Sequence, residues 1–171
     1  MKRNNNFGLS ATEIVFAVAL FVILGITMVP DALGRVAASH DERRIADLER
    51  IQDAVEAYHK DHGVWPPAHE NPEYGGWDVS QDGDFIPELV AKGYLAEMPA
   101  DPLNDDAHHY RYRVFDEPHF GCKSDGPWYV LGIRAFETPQ FAAHGDSAFK
   151  CSKRDFTEEF AWVVGEGASW R

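Results

Sequence analysis

The first thirty residues contain one long apolar run. From Leu9 to Val29 only one side chain is ionisable, that of Glu13. A helix over this run rises about 1.5 Å per residue and spans roughly 31 Å, the thickness of a bilayer core. Lys2 and Arg3 precede the run without any acid, which holds that end on the cytoplasmic side. The pattern predicts a membrane-spanning helix followed by an outward domain.

A second hydrophobic pattern follows the first, with apolar residues at intervals of three and four and charged residues between them. Its apolar members are Leu33, Val36, Ile45, Leu48, Ile51, Val55 and Tyr58. This spacing predicts an amphipathic helix laid on a domain, with Gly63 as its C-cap. Together the two patterns predict one helix of about 54 residues, from Leu9 to His62.

The alternative interpretation of the apolar run is a secretory signal peptide cut within residues 32–39. The run is longer than the roughly 7 to 15 residues usual for such a signal, and an acid near its start is atypical. The helical pattern also continues across the cleavage region. These features favour retention of the apolar segment.

After Gly63 the pattern changes to short apolar segments separated by turns. Tyrosine and arginine alternate at residues 110–113, which predicts a half-buried strand, and further strands are predicted at 128–133 and 160–164. A short helix capped by Asp84 and ended by Gly93 precedes them. The predicted fold class is α+β, with a long N-terminal helix packed on a small antiparallel β-sheet domain.

Composition narrows the classes of function. The 171 residues allow one domain plus an extension, and the net charge of −12 disfavours nucleic acid and anionic lipid as partners. Cys122 and Cys151 fit neither a zinc knuckle nor a thioredoxin motif, so in an exported chain they predict one disulfide. No G-x-S-x-G or H-E-x-x-H motif occurs, so the sequence gives no support for an enzyme.

Several features of the amino-terminal segment occur together at fixed spacing. A short basic leader ends in Gly8, an acid follows at Glu13 within an apolar helix, and Pro30 interrupts that helix. The segment resembles a type IV pilin or a type II secretion pseudopilin. In that family a prepilin peptidase cleaves after the glycine and N-methylates the new amino terminus, which implies a leader of residues 1–8 and a mature chain beginning at Leu9. The departures are Leu9 in place of the usual phenylalanine, and SAT where TLI is typical.

The resemblance continues into the outward region, over roughly residues 8–114. The stretches YHKDHGVWPP, LVAKGYLAEMPADPLNDD and YRYRV are similar to the pattern of major pseudopilins. Leu103 stands where tryptophan is common, and residues 116–171 match little in the family. The resemblance implies the pilin fold, with an assembly helix at 9–30, an amphipathic helix at 31–63 and a globular region at 64–171. A carboxy-terminal disulfide is commoner in pilus pilins, so the choice between pilus and pseudopilus stays open.

A carboxylate at the bilayer centre costs about 2.5 to 3.5 kcal/mol, so Glu13 is expected to have a partner. Cleavage before Leu9 creates an ammonium, and with helices offset along their axes Glu13 of one subunit can pair with Leu9 of its neighbour. Such a pair would set the register of a filament. The alternative is that Glu13 only reaches the headgroups. Pro30 lacks a backbone donor and is expected to bend or locally melt the helix.

The resemblance implies a structural subunit that polymerises through its N-terminal helix into a pilus-like or pseudopilus filament. The implied partners are further copies, other pilin-like subunits, prepilin peptidase and an inner-membrane assembly platform. The implied location is the inner membrane, with the carboxy-terminal domain outside the cytoplasm, and then a periplasmic or extracellular filament. Three alternatives remain: a membrane-anchored binding module that does not polymerise, a DNA-uptake or adhesion pilin, and a secreted enzyme.

Acid-rich loops suggest calcium as the one candidate cofactor. Oxygen ligands of the kind that Ca²⁺ accepts occur within six residues, and a second set occurs at 78–84, neither with EF-hand spacing. The first set consists of Asp101, Asn104, Asp105 and Asp106. The resemblance supports calcium in a carboxy-terminal loop without specifying ligands. The alternative is that these are solvated turn carboxylates.

Overall fold

The structure is a computed structural model that describes residues 10–142 and 149–169, without the side chains of 25–32, 142 and 169. The chain divides between Ala37 and Ala38 into two compact units. Helix α1 (Ala11–His62) contributes residues to both. Gly8 and Leu9 lie outside the described residues.

The amino-terminal part of α1 has exposed side chains throughout its described residues up to Leu24. Leu33 and Val36 are 66% and 52% exposed, so the buried stripe of the helix begins later than its spacing predicts. Across residues 10–142 and 149–169, no helix has both the length and the apolar character that crossing a membrane requires.

In the second unit, α1 buries Leu48, Ile51 and Val55, at the predicted three- and four-residue spacing. The helix ends as predicted at Gly63, which has a φ of 73° and donates its N–H to the carbonyl of His59 at 2.7 Å. A positive φ at this position suits glycine, because it has no Cβ to clash.

A four-stranded antiparallel sheet forms the second layer, in the order β1-β2-β3-β6. Its strands are β1 (Asp78–Val79), β2 (Tyr110–Phe115), β3 (Lys123–Ile133) and β6 (Trp162–Ser169). A separate hairpin consists of β4 (Lys150–Cys151) and β5 (Arg154–Asp155). The predicted α+β class is confirmed, with a long helix and a small antiparallel sheet that are consistent with the pilin fold. The predicted transmembrane half of the helix is not confirmed and stays a prediction.

Several boundaries differ from the prediction, and β3 begins at Lys123 instead of 128. The last strand begins at Trp162, because Phe160 closes a turn by donating its N–H to the carbonyl of Phe156 at 3.0 Å. Helix α2 (Pro87–Ala91) has Ile86 at its N-cap position instead of Asp84, without a side-chain cap hydrogen bond. Pro87 places its fixed φ in the first turn, which moves the start of the helix beyond the predicted cap. A further short helix, α3 (Pro139–Ala142), follows β3.

Each face of the sheet packs against a cluster of buried residues. Tyr110 and Tyr112 of β2 pack on the face that meets α1 and α2. The opposite face is an aromatic cluster closed by the disulfide between Cys122 and Cys151, which confirms the predicted pairing. The aromatic residues of that cluster are Trp77, Phe115, Trp128, Phe149, Phe156 and Phe160.

Candidate functional site

Glu13 is hydrogen-bonded within its own turn of α1. Its Oε2 accepts from the backbone N–H of Ser10 at 2.7 Å and from the Ser10 hydroxyl at 3.0 Å. The N–H of Glu13 donates to Ser10 Oγ at 3.3 Å. This reciprocal arrangement is a capping box, for which Ser10-Ala11-Thr12-Glu13 carries the S-x-x-E signature that the sequence analysis missed. The carboxylate therefore already has donors within the single chain.

Apolar side chains follow Glu13 along consecutive positions of the helix and so lie on all its sides. Phe16 is 77% exposed and Phe21 is 76% exposed. The other exposed large apolar residues of this segment are Ile14, Val15, Val18, Leu20, Val22, Ile23 and Leu24. An apolar surface this continuous is typical of contact with lipid or with another protein.

The helix continues through the backbone of Pro30, whose side chain lies outside the described residues. The bend predicted at Pro30 stays a prediction. Processing at Gly8 and Leu9 also stays a prediction.

The four residues predicted to bind calcium make other contacts. Asp101 is buried and accepts hydrogen bonds from Arg44 Nε at 2.6 Å and Nη2 at 2.9 Å. Asn104 Oδ1 accepts from Ser80 Oγ at 3.0 Å. Asp105 Oδ1 accepts from the N–H of His108 at 2.8 Å, and the exposed Asp106 accepts from Gln81 Nε2 at 3.1 Å.

Burial raises the pKa of Asp101, but its hydrogen bonds from Arg44 and from backbone N–H groups outweigh this, so the pKa lies below the usual range. Within the described ranges, no group of three or more His, Cys, Asp or Glu side chains is placed to hold a metal ion. Calcium binding by Asp101, Asn104, Asp105 and Asp106 stays a prediction.

Arg44 is the centre of a buried ion network that the sequence analysis missed. Its side chain is fully buried and donates to Asp41 at 2.7 Å and to Glu137 at 2.8 Å, besides Asp101. Asp41 in turn accepts the N–H of Glu137 at 2.9 Å and both the N–H and the hydroxyl of Thr138, at 2.8 and 2.7 Å. The network ties α1 to the loop before β2 and to the segment after β3.

The position of Arg44 could have been inferred from the helical spacing. Asp41 and Arg44 precede Leu48 by seven and four residues, which places both on the buried stripe. A charged side chain at such a position is stable in the interior only if it has a partner of opposite charge.

Asp78 is a second buried carboxylate. Its Oδ2 accepts from the N–H of His69 at 2.9 Å and from the N–H of Ile86 at 3.1 Å. Burial raises the pKa of Asp78 to about 6, and these two hydrogen bonds offset only part of that effect. Asp78 thus holds two loops together while its own ionisation is disfavoured.

The relatives found by comparison with known proteins carry the same name. The chain is 22% identical over 103 residues to Type II secretion system core protein G of Escherichia coli (strain K12), covering 58% of this chain and 68% of that protein. The protein of the same name from Vibrio cholerae is 24% identical over 112 residues, covering 65% of this chain and 73% of the relative. The one from Klebsiella michiganensis is 21% identical over 108 residues, covering 62% and 74%.

No protein-family model matches the chain, and no solved structure gives a significant match. The similarity to these core proteins confirms the resemblance to type IV pilin-like proteins, and among them to the major pseudopilin of type II secretion systems.

Proposed function

We propose that the chain is a structural subunit of a type II secretion pseudopilus and polymerises through the amino-terminal part of α1. The relatives named as core protein G support a pseudopilus subunit over a pilus subunit, and a structural role over catalysis. The observation that carries the proposal is the exposure of apolar side chains on all sides of α1 between residues 14 and 24.

This surface needs an apolar environment. Burying one exposed Phe or Leu side chain contributes about 1.5 to 3 kcal/mol, so leaving many of them in water is strongly unfavourable. Before assembly the segment at 9–30 lies in the inner membrane. The support for this location is the apolar run from Leu9 to Val29 in the sequence, since no helix of the described residues alone meets the requirements of a membrane span. In the filament the same residues pack against neighbouring helices. Repetition strengthens the assembly, because each added subunit meets several neighbours at once.

Glu13 sets the register between subunits. The capping box with Ser10 supplies hydrogen-bond donors but no positive charge. A methylated ammonium on Leu9 of the adjacent subunit supplies that charge once the leader has been removed. In an apolar seam, one buried pair of this kind selects a single axial offset.

The globular unit lies outside the cytoplasm. Its disulfide between Cys122 and Cys151 supports this location, because disulfides persist in oxidising compartments such as the periplasm. Prepilin peptidase acts on the leader, an inner-membrane platform drives assembly, and other pilin-like subunits join the filament.

The first test is the amino terminus of the native protein. Intact mass and terminal sequencing should give a chain that begins at Leu9 with one added methyl group. A chain that retains residues 1–8, or one that has lost residues up to the 32–39 region, would contradict the proposal.

The second test is Glu13→Ala in the cells that make the protein. We expect normal insertion and folding with filament yield reduced about tenfold or more, because the register pair is lost. Glu42→Ala is the matched control, since Glu42 is an exposed carboxylate on the same helix outside the apolar segment. Equal filament yields from both variants would remove Glu13 from the mechanism.

A further inference from the structure

Three arginines, Arg111, Arg134 and Arg154, form an arginine cluster around Glu159. Arg111 Nη1 lies 3.4 Å from Glu159 Oε1, and Arg154 Nη2 donates to Glu159 Oε2. Arg134 Nη1 donates to the backbone carbonyl of the same residue. Two guanidinium groups therefore share the carboxylate of Glu159, and a third is bound to the backbone of the same residue, within a chain whose net charge is −12.

The arginine cluster is held in place by its surroundings. Arg111 Nε donates to Nε2 of the buried His109 at 2.9 Å. The Arg154 guanidinium lies over the rings of Phe120 and Phe156, with its carbon 4.4 and 5.0 Å from their centroids. Side chains fixed in this way lose little freedom when they meet a partner.

A cleft of about 530 Å³ opens beside the arginine cluster, and the β4–β5 hairpin forms one of its walls. Lys153, at the turn of the hairpin, is exposed, and its backbone N–H donates to the carbonyl of Phe120 at 2.9 Å. The disulfide from Cys151 to Cys122 fixes the hairpin covalently. The wall of the cleft is therefore rigid.

Charge in and around the cleft is positive on balance. Lys150 and Asp155 pair with each other. Four cations line the cleft against three carboxylates, a surplus of one positive charge (4 − 3 = 1). The cations are Arg134, Lys150, Lys153 and Arg154, and the carboxylates are Asp155, Glu158 and Glu159. Arg111, which does not line the cleft, adds a further positive charge beside Glu159. Burial and then the neighbouring Arg134 lower the pKa of Arg111, as expected where cations exceed their partners.

We propose that this cleft is a docking site for exposed carboxylates of a second copy of the chain. The inference rests on the proposed function, in which copies pack side by side. Chains with a net charge of −12 repel each other, so neighbouring subunits need local contacts of opposite sign. Guanidinium groups suit this role, because their forked donors match carboxylate oxygens.

The test compares Lys153→Glu with Lys92→Glu in the full-length protein. Both lysines are exposed, and both variants change the net charge by the same two units, but Lys92 follows α2 and does not line the cleft. We expect Lys153→Glu to lower filament yield about fivefold, while Lys92→Glu stays near wild type. The wild-type filaments should also weaken with added salt more steeply than those of Lys153→Glu.

Zero-length carbodiimide cross-linking identifies the partner directly. In wild-type filaments we expect Lys150 or Lys153 joined to an acidic residue of another copy, found by mass spectrometry on mixed light and heavy isotope-labelled subunits. Circular dichroism and retention of the disulfide check that Lys153→Glu folds. A folding failure is bypassed by the cross-link, which needs no variant.

The outcomes separate the two hypotheses. The docking site alone would be overturned if the wild-type protein forms filaments, Lys153→Glu and Lys92→Glu give equal filament yields, and the cleft lysines are cross-linked to no other copy. Cross-links from the cleft only to a different protein would overturn it as well. A wild-type protein that forms no filament would overturn the proposed function and this inference with it.

Discussion

Glu13 and Arg44 lie on the same helix, yet one is an exposed carboxylate among exposed apolar side chains and the other is a cation buried among carboxylates. Among the described residues, each hydrogen bond to the Glu13 carboxylate is donated by Ser10, three residues away. Around Arg44 the partners Asp101 and Glu137 are 57 and 93 residues away in the chain.

The difference shows where each unit obtains its stability. Among the described residues of the amino-terminal part of α1, the polar contacts of Glu13 are local, and the large apolar side chains from Ile14 to Leu24 are exposed. The globular unit buries a few of its charges, such as Arg44 and Asp101, where breaking one contact leaves other charges unpaired at high cost. Substitutions in the first unit should therefore change assembly, and those in the second should change folding.

The largest effect is expected from Arg44→Met. The variant leaves Asp41 and Asp101 buried without their cation, which should lower the free energy of unfolding by about 3 to 5 kcal/mol. Chemical unfolding of the full-length protein in detergent, followed by tryptophan fluorescence, measures the loss. Arg43→Met is the control, because the Arg43 side chain is 59% exposed and its ion pair with Asp47 is worth about 1 kcal/mol or less. Equal losses from both variants would contradict a special role for the buried network.

Removal of the disulfide should have the next largest effect. Replacing Cys122 and Cys151 with serine opens a loop with a sequence separation of 29 residues. The chain-entropy model gives a loss of roughly 3 to 4 kcal/mol in the free energy of unfolding. Reduced wild-type protein should unfold like the double variant, and a difference between the two would show that the serines themselves disturb the aromatic cluster.

Features that depend on neighbouring residues could be predicted from the sequence. The spacing of Leu48, Ile51 and Val55 predicted the helix and its buried face, and Gly63 marked its end. The alternation of Tyr110 and Tyr112 with arginines predicted β2. In each case the signal lies within one or two turns or one strand, where local geometry determines which side is buried.

Features that depend on distant residues could not be predicted in the same way. Asp101 was assigned to a calcium loop because its neighbours in sequence are acidic, but its contact with Arg44 arises from the packing of a loop on α1. The arginine cluster around Glu159 likewise joins residues from three separate segments. Charge alone does not reveal such partners, since a surface carboxylate and a buried one have the same letter in the sequence.

The pH dependence of stability sharpens the comparison within the globular unit. The pKa of Asp78 is raised from 3.8 to about 6 in the folded protein. Its stabilising contribution to the free energy of unfolding is therefore fully present below about pH 4 and is lost as pH rises through 6. A pKa shift of about two units changes the free energy of unfolding by about 3 kcal/mol at most. The pH dependence that Asp101 gives to the free energy of unfolding has the opposite direction. Because its pKa is lowered, its stabilising contribution is present above about pH 4 and is lost in stronger acid.

Asp78→Asn should therefore stabilise the protein at pH 7 by about 2 kcal/mol, because the amide oxygen still accepts the two N–H groups without a buried charge. Unfolding at pH 4.5 and pH 7 measures the effect, which should be smaller at the lower pH. The exposed Asp84 supplies the control, and Asp84→Asn should change the free energy of unfolding at pH 7 by about 0.5 kcal/mol or less. A variant less stable than wild type at pH 7 would contradict the cost of ionising Asp78.

The smallest effect is expected from Ser10→Ala, at the other end of the comparison. The variant removes the hydroxyl that donates to Glu13 and accepts its N–H, so the first turn of α1 should lose about 1 kcal/mol. Hydrogen exchange at the amide of Glu13 should become about fivefold faster, while the unfolding of the globular unit stays unchanged. Thr12→Ala is the control, because Thr12 contacts only the Ser10 hydroxyl among the described polar side chains. If Ser10→Ala reduced filament yield as strongly as Glu13→Ala, the capping box and not the charge of Glu13 would control assembly, since Ser10→Ala keeps the carboxylate in place.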